Sequence, residues 1–481
     1  MARPKFYRDP VHDQIRYDRI DTRLPPPSVQ TQPDAALSWL VHQLIDCSEF
    51  QRLRHIRQNG LVNLVFHGAE HSRFGHSMGC GYLAREMYTR IVRNMGETIE
   101  PERLLQTCTA ALLHDLGHGP FSHVLEEILH SYGIRFDHEV MTYRFLVESG
   151  TGPQRILAQI DPKLPEAVGL YINKKARIKY NNQHKIKDHW SYKIVSSQID
   201  ADRLDYIIRD AYMAGLEGHG FDLQRLLDML LHLDHTRIAV YRRAIEPVEG
   251  YLLALDQMYR TIYYHHTARA ASVLLSAILR RSFELYKNGD KNIFPTGSSG
   301  RLHPLRALVE HGQAIALEDY SRLGEYQIFT LIEDWQWSRD PILSDLSRRL
   351  LTRRLFKGID VDPRKYNILQ RLQKRAEELV LANISHVDKN TVGYYVSVDE
   401  PERLSYKRYD WRNERADESI WIVDGPEQTK GAMPIEKEPS SIIAALQTKK
   451  YFHRLIVPPE VRDQLQRELA ELDDSSSHSP T

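Results

Sequence analysis

Residues 112–123 read Leu112-Leu113-His114-Asp115-Leu116-Gly117-His118-Gly119-Pro120-Phe121-Ser122-His123. An apolar helical run ends on an adjacent His-Asp pair and meets a glycine two residues later. An imidazole and a carboxylate therefore share one partly buried point, where a bare carboxylate is costly unless a cation pairs with it. A lone His-Asp dipeptide is common, so its surroundings decide its weight. Of the 23 histidines in 481 residues, eight fall between 67 and 138: His67, His71, His76, His114, His118, His123, His130 and His138. Surfaces do not favour imidazole over lysine or glutamate, whereas divalent-metal and phosphate chemistry do.

Two further stretches extend the pattern. Upstream stands His71-Ser72-Arg73-Phe74-Gly75-His76-Ser77-Met78-Gly79, in which Arg73 and His76 share a face if helical. Downstream, in DADRLDYIIRD (200–210), Asp202, Tyr206 and Asp210 stand at i, i+4 and i+8 and line one stripe. Histidines and aspartates on separate helices make a mixed nitrogen and oxygen set that suits Mn, Fe or Mg. The set lacks the thiolates of structural zinc. Cys47, Cys80 and Cys108 are scattered without a CxxC pair, which fits a reducing cytoplasm.

Composition narrows the partners. The 64 basic and 64 acidic residues cancel to zero net charge, so no global field favours long nucleic acid or an anionic membrane. No apolar stretch approaches the ~18 residues of a membrane span, and the start, MARPKFYRDPVHDQ, has no secretory h-region. Helical periodicity runs through 35–57, 76–96, 101–116, 122–131, 137–149, 192–214, 221–232, 246–288 and 304–357. Gly60, Gly96, Gly117, Gly133, Gly150 and Gly215 punctuate it. Residues 1–45 read as an extended segment and Pro-rich linker, and 172–193 as a basic loop or hairpin inserted in the core. After Gly358, the runs 392–398, 418–425 and 452–458 read as strands around helices at 363–382 and 459–472. The residues from Asp473 onward read as a frayed polar tail. The expected fold is mainly α: a helical core over 46–358 with a smaller α+β lobe over 359–481.

The ordered set DPVH (9–12), FQRLRHIRQNG (50–60), HSRFGHSMG, LLHDLGHGPFSH, DHEV (137–140), DADRLDYIIRD and MYRTIYYHHT (258–267) resembles the HD-domain phosphohydrolases. The likeness is to their deoxynucleoside triphosphate triphosphohydrolase branch. The late SIIAALQTKKYFHRLIVPPEV (441–461) also resembles that branch. The resemblance implies a metal held by His76, His114, Asp115 and Asp202, with His118 and His123 serving the attacking water. It places Arg73 on the α-phosphate, His138 near the phosphates, Arg203 at the β/γ end and Tyr206 as a phosphate contact. It makes Gln58 and Asp210 readers of the 3′-hydroxyl, and Tyr263 the ring that excludes a 2′-hydroxyl.

Two positions depart from the pattern. Glu126 replaces the usual aspartate of the proton relay. Leu255 replaces an arginine that clamps the terminal phosphate, which leaves Arg242, Arg243 or Arg260 as substitutes. Asp46, Gln51 and Arg54 match positions that read a guanine nucleotide activator in a regulated animal member, or else make ordinary surface contacts. The expected protein is a cytoplasmic homo-oligomer, a tetramer or larger, that cleaves a deoxynucleoside triphosphate to deoxynucleoside and triphosphate. A nucleotidase or single-stranded nuclease, and a non-hydrolysing nucleotide sensor, are the alternatives.

Overall fold

The computed structural model describes residues 4–217, 220–297, 300–400, 402–403, 419–426, 431–443 and 450–477. The chain opens with an antiparallel hairpin, β1 (Lys5–Asp9) and β2 (Asp13–Tyr17). It packs through the buried Ile15 and Tyr17. Helix α1 (Pro33–Asp46) follows and stops at Cys47, whose extended backbone splits the expected 35–57 helix; only a short helix, Ser48–Gln51, and a 3-10 turn continue. Helix α2 (Arg73–Met95) begins three residues earlier than its apolar pattern and crosses α3 (Pro101–Leu113) at the centre of the core. Then come α4 (His123–Ser131), α5 (His138–Val147), α6 (Gly152–Ile160) and α7 (Leu164–Ile172). The last two lie where the sequence signalled no helix. Both begin with proline in the first turn and are only nine residues long, so their periodic signal is short.

The basic stretch 172–193 is not a loop or hairpin. Its first half is a helix, α8 (Lys174–His184), which Asn173 caps by accepting from the Ala176 amide. One buried arginine, Arg177, anchors it by donating to the carbonyls of Leu170 and Tyr171. An anchor made of a cation leaves no apolar periodicity to read.

The expected helix 192–214 also breaks. A short turn, Tyr192–Val195, precedes α9 (Ala201–Met213), and the cap of α9 is Asp200, which accepts from the amides of Arg203 and Ser197. Likewise 221–232 divides into a short helix, Leu223–Asp228, and a strand, β3 (Leu230–His232), which pairs with β4 (Ile238–Tyr241). The long 246–288 run divides into α10 (Ile245–Met258), a π-helical turn at Tyr259–Tyr263, and α11 (His266–Lys287). Residues 304–357 are helical as expected, in α12 (Pro304–His311), a short turn of helix at Leu317–Tyr320, α13 (Glu325–Trp335) and α14 (Pro341–Leu351).

The later chain is mixed. A three-stranded antiparallel sheet places β9 (His453–Val457) between β5 (Lys357–Val361) and β6 (Ser397–Asp399), with α15 (Tyr366–Asn383) and α16 (Pro459–Ser477) against each other. Of the expected 392–398 strand, Val392–Tyr394 is a 3-10 turn and pairing starts at Ser397. The expected frayed tail is helical as far as Ser477; residues 478–481 and 444–449 lie outside the described ones. Strand β7 (Trp421–Val423) pairs in parallel with β4 and antiparallel with β8 (Met433–Pro434). The fold is mainly α with small sheets, as the sequence indicated. Among the described residues no helix is long and apolar enough to cross a membrane.

Candidate functional site

Three helices deliver the centre. His76 projects from the first turns of α2, His114 and Asp115 from the end of α3, and Asp202 from the first turn of α9. Nε2 of His76 lies 3.0 Å from Oδ1 of Asp202 and 3.8 Å from Oδ2 of Asp115. Nε2 of His114 lies 3.2 Å from Oδ1 of Asp115 and 3.7 Å from Oδ1 of Asp202.

The tautomers follow from the far side of each ring. His114 Nδ1 faces the Ala111 carbonyl at 2.8 Å and His76 Nδ1 faces a carboxylate oxygen of Asp205 at 2.7 Å. Both partners only accept, so both Nδ1 atoms carry the proton and both Nε2 lone pairs point inward. His114 Nε2 is buried with no hydrogen-bond partner. Two lone pairs and two carboxylates that converge without a proton among them need a cation, and a divalent metal with nitrogen and oxygen ligands fits. The structure adds Cys80, which the sequence reading set aside: its Sγ is 3.5 Å from both His76 ring nitrogens. Burial pushes its thiol well up, so it meets the centre as a neutral group.

Both carboxylates are held ionised. Burial opposes this at Asp115, but Arg73, His114 and His118 outweigh it and hold the group well below the usual range. At Asp202, whose side chain is partly exposed, desolvation is overcome by the facing His114 and His76 rings, which hold the carboxylate below its usual range. Arg73 Nη1 donates to Asp115 Oδ2 at 2.5 Å and Nη2 to Ser122 Oγ at 2.6 Å, while its buried Nε has no partner. That contact requires an unusual backbone: Phe121 and Ser122 have φ of 56° and 44°, and such strain persists only where surroundings enforce it. Arg52 supplies part of that enforcement, donating to the His118 carbonyl at 2.8 Å from both terminal nitrogens. Gly117 is required by close approach, since a Cβ there would stand 2.2 Å from the His138 carbonyl oxygen.

A second layer of imidazoles lies beside these candidate metal ligands. The His118 and His138 rings stack at 3.9 Å, and His123, 74% exposed, stands edge-on to both. His118 Nε2 faces Asp115 Oδ1 at 3.3 Å and its Nδ1 is buried without a partner. Burial, with Arg73 and His138 nearby, lowers its pKa well below the ordinary value. His138 goes the other way. Burial opposes its charge, but Glu126, 2.8 Å away, raises its pKa. The longer glutamate thus reaches both the amide and the ring of His138.

A cavity of about 720 Å³ opens beside these groups. Gln58, Arg203, Tyr206, Asp210 and Tyr263 line it, as do Arg73, Asp115 and Asp202. Tyr263 donates to Asp210 Oδ2 at 2.6 Å and His71 meets Oδ1 at 2.8 Å, so Asp210 is fixed on both sides. Gln58 Oε1 is buried without a partner. Leu255 is buried in α10 and does not line the cavity, nor do Arg242, Arg243 or Arg260. Arg242 is taken by Asp424 and Glu438, and Arg260 by Asp256. Three cations that the sequence did not single out line it instead: Lys174, Lys193 and Arg269.

The residues expected at an activator site lie away from the cavity. Asp46 is exposed at the end of α1, Gln51 donates to the Ile45 carbonyl at 2.6 Å, and Arg54 donates to Gln51 at 2.9 Å while covering the Phe74 ring.

A helical core that converges two imidazoles and two carboxylates beside a cation-lined cavity defines a metal-centred hydrolase scaffold. Residues 73–196 match the HD domain, and 221–295 the HD associated region. The uncharacterized protein YwfO of Bacillus subtilis is 34% identical over 85% of this chain and 82% of its own. The deoxynucleoside triphosphate triphosphohydrolase SAMHD1 of Danio rerio is 26% identical over 82% of this chain and 62% of its own. A crystal structure of a phosphohydrolase from Bacteroides thetaiotaomicron superposes with a TM-score of 0.72 at 24% identity, covering 95% of this chain and all of that one. The chain belongs to the HD-domain phosphohydrolase family, and deoxynucleoside triphosphate triphosphohydrolases are among its relatives.

Proposed function

We propose that the protein hydrolyses deoxynucleoside triphosphates to deoxynucleoside and triphosphate. The observation that carries this reading is the cavity wall itself. It carries His114, Asp115 and Asp202 together with the cations Arg73, Arg203, Lys174 and Lys193, the Tyr263–Asp210 pair, and Gln58, whose buried Oε1 has no partner.

His76, His114, Asp115 and Asp202 would hold Mn, Fe or Mg. Such an ion polarises a phosphoryl oxygen and lowers the pKa of water. Arg73, with Nε still open, binds the α-phosphate. His118, held neutral, takes a proton from the attacking water at Nδ1, and His138, charged beside Glu126, returns one to the departing 5′ oxygen. His123 at the exposed mouth passes protons to solvent. Tyr263 closes the space at C2′, and its bond to Asp210 keeps the ring in place. Arg203 and Tyr206 meet the outer phosphates, and Lys174 and Lys193 take the part that Leu255 cannot play.

The test is a panel of dNTPs and NTPs with Mn, Fe and Mg, with products separated by ion exchange. Triphosphate and deoxynucleoside are expected; pyrophosphate or orthophosphate as the main product rejects the reading in favour of a nucleotidase, and binding without product in favour of a sensor. Replacing Lys174 and Lys193 together by alanine should raise KM for a triphosphate about tenfold or more, each lost charge-assisted contact costing ~1.5–3 kcal/mol, with the same products. Assembly into a homo-oligomer with a nucleotide activator at Asp46, Gln51 and Arg54 belongs to the same proposal; a monomer by light scattering with and without nucleotide rejects it.

A further inference from the structure

The DPVH segment at the tip of the β1–β2 hairpin does not line the cavity, yet its Asp9 and His12 side chains are buried behind the candidate metal centre. His12 Nε2 lies 2.7 Å from Oδ1 of Asp205 on α9. The other oxygen of Asp205, Oδ2, is the partner of His76 Nδ1 at 2.7 Å. Arg209 donates to both oxygens, at 2.7 and 2.9 Å, and its Nη1 reaches Asp9 Oδ2 at 3.0 Å. The side chains of His12, Asp205, Arg209 and Asp9 are 3%, 0%, 1% and 7% exposed.

The helix bearing His76 makes room for this cluster. A Cβ at Gly79 would stand 1.8 Å from Asp205 Oδ1 and 2.5 Å from Arg209 Nη2. The glycine one turn after His76 lets α9 bring a carboxylate against the ring. Because a carboxylate only accepts, Asp205 fixes the His76 tautomer and turns Nε2 toward Asp202. Arg209 restrains Asp205 within its own helix. Besides His76 itself, His12 is the residue that restrains it from outside α9 among the described residues, and it does so on the oxygen not used by His76.

We propose that His12 is a positioning residue of the metal centre: through Asp205 it sets the orientation of His76, so that metal affinity depends on an N-terminal hairpin lying outside the HD-domain match at 73–196. The proposal rests on the reading of His76 as a metal ligand. Partners of this kind in ligand-bearing histidines change metal affinity by about 10- to 100-fold.

The experiment measures Mn binding to the metal-stripped full chain, by electron paramagnetic resonance of free Mn, alongside melting temperature. His12→Ala should weaken Mn binding about 10- to 100-fold. His12→Gln, whose Nε2 can still donate to Asp205, should recover most of it. Tyr7→Phe is the structural control. It removes the hairpin's bond to His42 Nδ1 at 2.8 Å without touching Asp205, and should lower the melting temperature while leaving Mn affinity at the wild-type value. Wild-type affinity in His12→Ala, or an equal loss in Tyr7→Phe, overturns the proposal. A wild-type chain that binds none of Mn, Fe or Co removes the metal reading beneath it, which is a different result from binding that His12 fails to affect.

Discussion

Glu126 shows how one methylene is accommodated. Its carboxylate accepts from both the amide and the Nδ1 of His138, and its other oxygen stands 3.7 Å from His123. Burial alone would discharge His138; Glu126 reverses this, so the imidazolium persists to higher pH than an ordinary histidine. A step that needs this proton is supported below the pKa of His138 and lost as pH rises through it. Glu126→Gln removes the raising charge, so the alkaline fall in kcat/KM should begin at lower pH than in the wild type. An alkaline limb that stays in place in the variant would show that His138 is not the acid. At this scale the sequence was informative about residue type and less so about contact. His76, His114, Asp115 and Asp202 do meet. The substitute for Leu255 was sought among Arg242, Arg243 and Arg260, which are engaged elsewhere or face away, because sequence spacing carries no information about which cation reaches a cavity from another helix.

Among the elements, legibility followed the source of the helix signal. Helices α2, α3 and α5 have broad apolar faces and were visible. Helix α8 was not, because a capping asparagine and one buried arginine define it. The breaks inside 192–214, 221–232 and 246–288 come from Asp200, from the pairing of β3 with β4, and from the π-helical turn that carries Tyr263. Each is a tertiary or capping event superimposed on continuous periodicity. The β3–β4 turn offers a test. Asp234 accepts from the Thr236 amide and hydroxyl, the Arg237 amide, and the Arg237 guanidinium at 2.8 and 2.6 Å. Burial opposes this, but the Arg237 and Thr236 bonds together outweigh it and lower the pKa to about 2. A depressed carboxylate contributes stability above its unfolded pKa of ~3.9 and loses it as pH falls toward the folded value. With the side chain 39% exposed, solvent screening keeps the contribution under about 1 kcal/mol. The urea-midpoint difference between wild type and Asp234→Asn should therefore be present at pH 6 and narrower at pH 3. A constant difference would assign it to shape rather than charge.

For the whole molecule, the candidate metal centre is a junction of three helices and, through Asp205, of the N-terminal hairpin. The facing carboxylates of Asp115 and Asp202 and two inward lone pairs repel one another without a cation, so removing a metal from this place should loosen the fold as well as stop catalysis. Dialysis against a chelator is expected to lower the melting temperature, and adding Mn at 100 times its Kd should restore about 2.7 kcal/mol of stability. A melting temperature indifferent to chelator and to Mn would count against a metal at this place. The general architecture, helical with a smaller mixed lobe, was readable from the change of pattern after Gly358. The pairing of β4 with β7 was not, since it joins residues 239–241 to 421–423 across most of the intervening chain.

That long pairing has a temporal side. During synthesis every candidate ligand of the metal centre has been made once Asp202 is added, but β4, complete at Tyr241, must wait ~180 further residues for its parallel neighbour, roughly ten to thirty-five seconds at ordinary ribosomal speeds. Through that interval the nascent chain holds a potential ion-binding nucleus beside an open strand edge, and early capture of the ion would steady the core while the remainder emerges.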